Sequence, residues 1–335
     1  MMLDSENNRI QICDVANAHR LILGKSGCGK TWLCCRMLET ASEHHKNCLV
    51  FDYSGSYTCE ELKKNKFSYM DQIQVIGEDK KKLAWCYNGD ELYSVYYSAL
   101  VKALHIRGRK QQCLLYEVIM NLSNDNAQVT IERIINELKQ AEHLEDKERQ
   151  KTAGKLLDYL EAYSDMNIMC QRKTASSREV DKCITIVQLS SYDTFQKSFL
   201  TNFLTELFWR EIRERQSSVD YVLYDEFQCM PLGSGSTLEE MLREGRKYGL
   251  GVWLASQFLS GYSAAEIDTL MQADNLFLFR PTQSSLIRTA KLLNYTTKTW
   301  ERILPKLEIG QFVFKGHFSV NGKTEIEEGA VICRV

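Results

Sequence analysis

An α/β fold is predicted by three features of the 335-residue chain. Short apolar runs recur along it, helical patterns lie between them, and a glycine-rich phosphate-loop pattern directly follows the first run. The runs are 20–24, 48–53, 183–189, 221–226, 251–257 and 275–280. They are rich in β-branched and aromatic residues and lack in/out alternation, as strands buried on both faces of a mainly parallel sheet do. Alternation of such strands with helices defines the class.

The first run ends in Gly24, Lys25, Ser26, Gly27, Cys28, Gly29, Lys30 and Thr31, which fits G-x-x-x-x-G-K-[ST]. Gly27 and Gly29 lack a Cβ, so the backbone can turn tightly and aim successive N–H groups at phosphate oxygens. Lys30 would supply a point charge to the β- and γ-phosphates and Thr31 a hydroxyl to Mg²⁺. From Thr31 and Trp32 onward the sequence can start a helix whose N-terminal dipole favours anions. The segment from Gly24 to Trp32 is thus the expected ATP-binding run.

Later elements follow the same logic. Residues 199–212 carry a stripe of Phe199, Leu200, Phe203, Leu204, Leu207 and Trp209, and residues 238–249 end at a basic turn and Gly249, a helix stop signal. Between the second and third strands lies an insertion whose middle is helical. Ile131, Ile134, Ile135 and Leu138 share one face, as do Leu156, Leu157, Leu160 and Tyr163. Charge dominates 139–155, and 169–182 returns the chain to the sheet. The reading is a core split into 1–83 and 166–335 around an all-α insertion at 84–165.

Composition narrows the setting. A hydrophobic content of 44% supports a substantial core, and a net charge of −2 makes no global case for nucleic acid. Local basic clusters at 61–66, 78–83 and 105–110 read as solvated faces or loops. No run of eighteen apolar residues occurs and the N-terminus lacks the form of a signal peptide, so a cytoplasmic protein without a membrane segment is expected. Twelve cysteines are scattered without a C-x-x-C pair, as reduced thiols are.

Use of ATP with Mg²⁺ needs a carboxylate on the metal, at the end of a buried strand of the same sheet. The run at 221–226 supplies Asp225 at its carboxyl end. Glu226 follows, placed to orient and deprotonate an attacking water.

The next motifs carry a resemblance. Gly245, Arg246, Lys247, Tyr248 and Gly249 precede a strand that ends at Gln257, while Asp52, Gly55 and Tyr57 follow the second strand. With the phosphate loop and Asp225–Glu226, in this order, the chain from about residue 17 to 316 resembles the HerA/FtsK superfamily of P-loop ATPases, which includes conjugative coupling proteins and DNA-packaging motors. The resemblance implies a RecA-like P-loop core. It also implies a γ-phosphate sensor at Gln257 and an arginine finger at Arg246 that reaches into a neighbouring subunit, with Arg243 as the competing candidate. Relative to the family, the chain reads as a bare motor core without the N-terminal β-barrel.

The implied function is an ATP-hydrolysing homo-oligomeric motor, a hexameric ring by analogy, that translocates or processes DNA. A second reading is an ATP-controlled scaffold that positions a partner such as a nuclease. A third, a small-molecule kinase, is weakened because Glu226 suits water activation.

Overall fold

A computed structural model describes the chain except residues 1, 5, 78–82, 88–90, 125–128, 143–145, 167, 173–182, 260, 294–296 and 335. The basic cluster at 78–83 and the return segment at 169–182 fall mainly outside the described residues, as does part of the charged stretch at 139–155. The described strands are β1 (Met2–Asp4), β2 (Arg9–Ile12), β3 (Arg20–Leu23), β4 (Cys48–Asp52), β5 (Ile73–Ile76), β6 (Leu83–Tyr87), β7 (Ile168–Arg172), β8 (Ile184–Gln188), β9 (Tyr221–Asp225), β10 (Gly251–Ser256), β11 (Asn275–Phe279), β12 (Gln311–Val320) and β13 (Glu327–Arg334). The α-helices are α1 (Lys30–Glu43), α2 (Cys59–Lys64), α3 (Leu92–Ala103), α4 (Arg109–Asn124), α5 (Ile131–Glu142), α6 (Lys147–Leu160), α7 (Thr194–Arg213), α8 (Thr237–Glu244), α9 (Ala264–Leu270), α10 (Leu286–Leu292) and α11 (Thr297–Ile303).

Two compact units result, one of residues 1–74, 182–186 and 219–335, the other of residues 75–181 and 187–218. In the first, the strand order is β13-β1-β2-β12-β11-β3-β10-β9-β4, followed by the start of β8. Strands β11, β3, β10, β9 and β4 pair in parallel. Strands β4, β10 and β11 bury every residue, which is why their sequences do not alternate. Neighbouring strands lock through stacked rings, Phe51 on Tyr224 at 4.8 Å and Tyr221 on Trp253 at 4.7 Å, and Arg20 covers Trp253 with its guanidinium 4.6 Å from the ring centre.

The sheet is mixed, which corrects the expectation of a mainly parallel one. Strand β11 pairs antiparallel with β12, and β12, β2, β1 and β13 pair antiparallel in a closed circuit because β13 also pairs with β12. The sequence reading does not include this circuit, a small antiparallel barrel formed from β1 and β2 together with β12 and β13. Strands β2 and β13 are mostly exposed or half-buried with no regular alternation, a weaker signal than the buried runs.

The second unit is not all-α. Strands β6 and β7 form a parallel pair, and α7 belongs with this unit rather than with the first. Asp193 and Gln196 cap α7 reciprocally. The helix buries more than the expected stripe, including Glu206 and Glu211. Each buried carboxylate has a donor, Lys102 Nζ at 2.8 Å from Glu206 and the Trp85 indole N–H at 3.2 Å from Glu211. The predicted apolar faces at 131–138 and 156–160 are buried, and Tyr163 stacks on Phe199 at 4.3 Å.

A buried histidine ties the first unit together ahead of β3. His19 Nδ1 accepts the Val252 N–H at 2.9 Å, and its ring lies so close to Gly245 that a Cβ there would meet His19 Cε1 at 3.1 Å. Burial lowers its pKa from 6.5 to about 4, against the pull of the Leu242 carbonyl and Asp274. The imidazole is therefore neutral in the folded chain. On acidification from pH 6.5 toward 4 the unfolded chain takes up this proton and the folded chain does not, so stability must fall as pH drops across that window, by ~3 kcal/mol in full. In a His19→Asn variant, whose amide oxygen can still accept the Val252 N–H, urea unfolding should show a loss of stability over this range smaller by about that amount. Equal pH slopes for the two proteins would exclude a neutral buried His19.

Candidate nucleotide site

Strand register assembles the site at the carboxyl ends of the parallel strands, where open α/β sheets bind ligands. Ser256 lies opposite Leu23, Ala255 opposite Asp225, and Phe51 opposite Tyr224. Gly24 and Gln257 therefore leave the sheet side by side, with Glu226 one residue and Asp52 two residues behind them.

The glycine-rich loop is seated on those strand ends by its backbone. Gly24 N–H donates to the Ser256 carbonyl at 3.2 Å, Lys25 N–H to the Arg280 carbonyl at 2.9 Å, and the Cys28 carbonyl accepts the Gly310 N–H at 2.9 Å. A Cβ on Gly24 would lie 2.5 Å from Phe279 Cβ and 2.9 Å from Cys28 Sγ, so only glycine fits. Gly27 and Gly29 have φ of 72° and 112°, in the left-handed range that glycine alone adopts freely. Gly29 caps α1 without a side-chain hydrogen bond, so the first amides of the helix keep their anion-binding capacity. Lys30 is buried, its ammonium donating to the carbonyls of Gly24 at 2.7 Å and Lys25 at 3.1 Å. The loop holds its own cation in place.

A cleft of about 370 Å³ opens beside the loop, and Ser26, Gly27, Gly29, Lys30, Thr31 and Trp32 line it. Asp225, Glu226 and Gln257 line it from the neighbouring strands. Gly24, Lys25 and Cys28 do not line it.

Two buried carboxylates at adjacent strand ends are treated differently. Asp52 accepts three backbone amides, from Gly55 at 2.8 Å, Ser56 at 2.9 Å and Tyr57 at 2.9 Å, and so shapes the turn after β4. Asp225 has the Ser54 hydroxyl at 2.6 Å. Burial pushes the Asp225 carboxyl up to about 7, helped by the charges of Glu226 and Asp52 and opposed by Ser54 and Lys30. A divalent cation here would supply the missing counter-charge, and the donor set of Thr31 hydroxyl and Asp225 carboxylate suits Mg²⁺. Among the described residues no three His, Cys, Asp or Glu side chains converge as a metal cage. That fits a Mg²⁺ ion, which relies on one or two protein oxygens and on substrate phosphates.

Glu226 has φ 59° and ψ 46°, a left-handed conformation uncommon outside glycine and costly to hold. Its carboxylate is gripped by two amides: Gln257 Nε2 donates to Oε1 at 2.9 Å, and Gln228 Nε2 donates to Oε2. Gln228 is held in turn, its carbonyl oxygen accepting the Ser256 hydroxyl at 2.5 Å. Sequence reasoning missed Ser54, Gln228 and Ser256. The signal for Gln228 was a polar residue two places after Glu226, which becomes meaningful only once the strands are aligned.

Arg246 does not line the cleft of its own chain. It is exposed on a 3₁₀ turn, Gly245–Tyr248, that ends in left-handed Gly249. Among the described residues no ion pair engages Arg246, whereas Arg243 is bound by Glu239 at 2.8 Å and Glu244 at 3.6 Å. No described helix is long and apolar enough to cross a membrane.

Known proteins share this fold. The chain superposes on VirB4 of Thermoanaerobacter pseudethanolicus with a TM-score of 0.68 at 14% identity, covering 99% of this chain and 94% of that one. The conjugative coupling protein TrwB, truncated at its N-terminus, gives 0.64 at 15% identity over 93% and 85%, and TrwB with ADP and Mg²⁺ gives 0.64 at 14% over 93% and 84%. The fold is thus that of these proteins. In sequence the chain is 23% identical over 254 residues to the DNA double-strand break repair helicase HerA of Sulfurisphaera tokodaii, which covers 71% of this chain and half of that relative's length. The profile of the central domain of helicase HerA matches residues 3–208. With its phosphate loop, Asp225–Glu226 pair and Gln257 gathered on one sheet edge, the chain belongs to the HerA helicase central-domain family.

Proposed function

We propose that this chain is the ATP-hydrolysing subunit of a HerA/FtsK-type ring motor that translocates or processes DNA. The observation that carries the hydrolytic part is the strained Glu226, its carboxylate held by Gln257 and Gln228 beside buried Asp225 and the Lys30 loop. A carboxylate fixed in this way suits proton transfer from water to a defined atom. DNA as the polymer is supported by family membership and by the HerA relative, a DNA repair helicase.

In this reading ATP enters with its phosphates on the loop, where Lys30 turns its ammonium from the loop carbonyls to the β- and γ-oxygens. Thr31 and Asp225 would hold Mg²⁺, which when bound neutralises charge on those oxygens. Glu226 accepts a proton from the water aimed at the γ-phosphorus. Gln257 and Gln228 keep the carboxylate from swinging away, and because Gln257 also borders the cleft it can exchange its bond to Glu226 for one to the phosphate. Arg246, without an ion pair among the described residues and outside its own cleft, completes the site of a neighbouring copy with a guanidinium fork.

Glu226→Gln should bind ATP with Mg²⁺ normally and turn over ~10²- to 10⁴-fold more slowly. Lys30→Ala should weaken ATP binding about ten- to a hundredfold, the worth of a charge-assisted hydrogen bond. Titration calorimetry with single-turnover assays separates the two. A near-normal rate in Glu226→Gln would remove it from the proton-transfer role.

Specific ATPase activity should rise with protein concentration as copies assemble, and Arg246→Ala should bind ATP yet lose roughly 10³-fold or more in rate. Mixing Arg246→Ala with Lys30→Ala should restore part of the activity through interfaces that join an intact pocket to an intact arginine. An Arg246→Ala protein that assembles and hydrolyses at the wild-type rate would transfer the finger role elsewhere.

Duplex or single-stranded DNA should stimulate ATPase activity, with stimulation fading steeply as salt rises because phosphate contacts release counterions. Flat rates across a DNA titration at low salt, with the protein assembled, would favour an ATP-controlled scaffold that positions a partner effector.

A further inference from the structure

The cleft that holds Lys30 and Asp225 is also lined by two exposed apolar side chains that phosphate chemistry does not use. Trp32, immediately after Thr31, leaves 39% of its surface exposed, and Ile309 leaves 82%; both line this cleft. Large apolar side chains that border a polar cleft and stay uncovered mark a surface made to receive something flat and apolar.

Trp32 is built as a rigid platform. The Arg36 guanidinium lies over its ring, 5.0 Å from the ring centre. Arg36 itself is fixed by Glu39 at 2.6 Å and by the Asn65 carbonyl at 2.7 Å, so the ring is backed on one face by an immobilised cation. Ile309 is fixed by its neighbour: Gly310 donates to the Cys28 carbonyl, and its Cα lies where a Cβ on Gly29 would approach to 3.3 Å. The turn that bears Ile309 is therefore laid directly on the phosphate loop.

The polar groups beside Trp32, Arg36 and Asn65, are already committed to the protein. Asn65, which also lines the cleft, donates its side-chain amide to the Glu61 carbonyl at 3.0 Å. The Arg36 guanidinium is taken by Glu39 and Asn65. What the cleft offers here is an aromatic face and an aliphatic side chain.

We propose that Trp32 stacks on the base of the nucleotide whose phosphates occupy the loop, that Ile309 covers that base, and that the site accepts adenine and guanine alike because it reads the π-face rather than the base edge. The inference rests on the nucleotide reading above and adds to it the subsite and the substrate class, purine nucleoside triphosphates. Stacking is tolerant of base identity because every base has a π-face.

The experiment measures equilibrium binding of ATP, GTP and inorganic triphosphate to wild-type protein, Trp32→Ala, Trp32→Phe and Ile309→Ser. Wild-type protein should bind ATP and GTP within about threefold of each other, and Trp32→Ala should weaken both by about 5- to 150-fold while leaving triphosphate binding unchanged. Trp32→Phe should recover most of the affinity, and Ile309→Ser should lose several-fold for the nucleotides only. ATP, but not triphosphate, should quench a part of the tryptophan fluorescence that is missing in Trp32→Phe, with the other tryptophans as internal reference. Equal losses for ATP and triphosphate in Trp32→Ala would make Trp32 a support of the loop and overturn the proposal, as would unchanged ATP affinity. Strong preference of the wild type for one purine would overturn the face-reading. Wild-type protein that binds neither ATP nor triphosphate would overturn the nucleotide reading itself, and this proposal with it.

Discussion

Ser256 joins the two halves of the site. Its carbonyl accepts the Gly24 N–H, which seats the glycine-rich loop, and its hydroxyl donates to Gln228, one of two amides that grip Glu226. The next residue, Gln257, supplies the other. One strand end thus anchors both the glycine-rich loop and the Glu226 carboxylate. The parallel register of β3, β10 and β9 makes this possible, because it sets Ser256 level with Leu23 and one residue beyond Asp225.

The same strand ends treat two buried carboxylates differently. Asp52 and Asp225 end adjacent strands and are both buried, yet Asp52 is satisfied by three amides of its own turn while Asp225 meets the Ser54 hydroxyl and is pushed toward neutrality by burial. Full satisfaction rigidifies the turn that carries Ser54. Incomplete compensation leaves Asp225 with a demand for positive charge that the cleft alone can meet.

The strain at Glu226 and the packing under Gly245 belong to the same economy of placement. A left-handed glutamate persists only where surrounding bonds over-determine it, and two amide donors do so. Gly245 sits against the neutral ring of His19, so the turn that projects Arg246 outward rests on a buried, hydrogen-bonded support. Glu226 is clamped within the chain, and Arg246, proposed to serve a neighbouring copy, stands exposed.

Much of this was legible in the residues alone. The buried strands announced themselves as unbroken apolar runs, the loop by its glycine spacing, and Asp225, Glu226 and Gln257 by standing at the ends of such runs. These are local signals, set by chain geometry over a few residues, and they survive without knowledge of partners. The small antiparallel barrel did not show, because it joins β1 and β2 to β12 and β13 across more than three hundred residues and its half-exposed strands carry little pattern. Nor did the parallel pair β6–β7, the placing of α7, or the contacts of Ser54, Gln228 and Ser256, whose side chains are ordinary until strand register brings them within hydrogen-bonding distance of a carboxylate. Sequence by itself determined which residue types were available at each strand end; tertiary structure decided which of them meet, because hydrogen bonds act over about 3 Å and only the folded sheet brings distant segments that close.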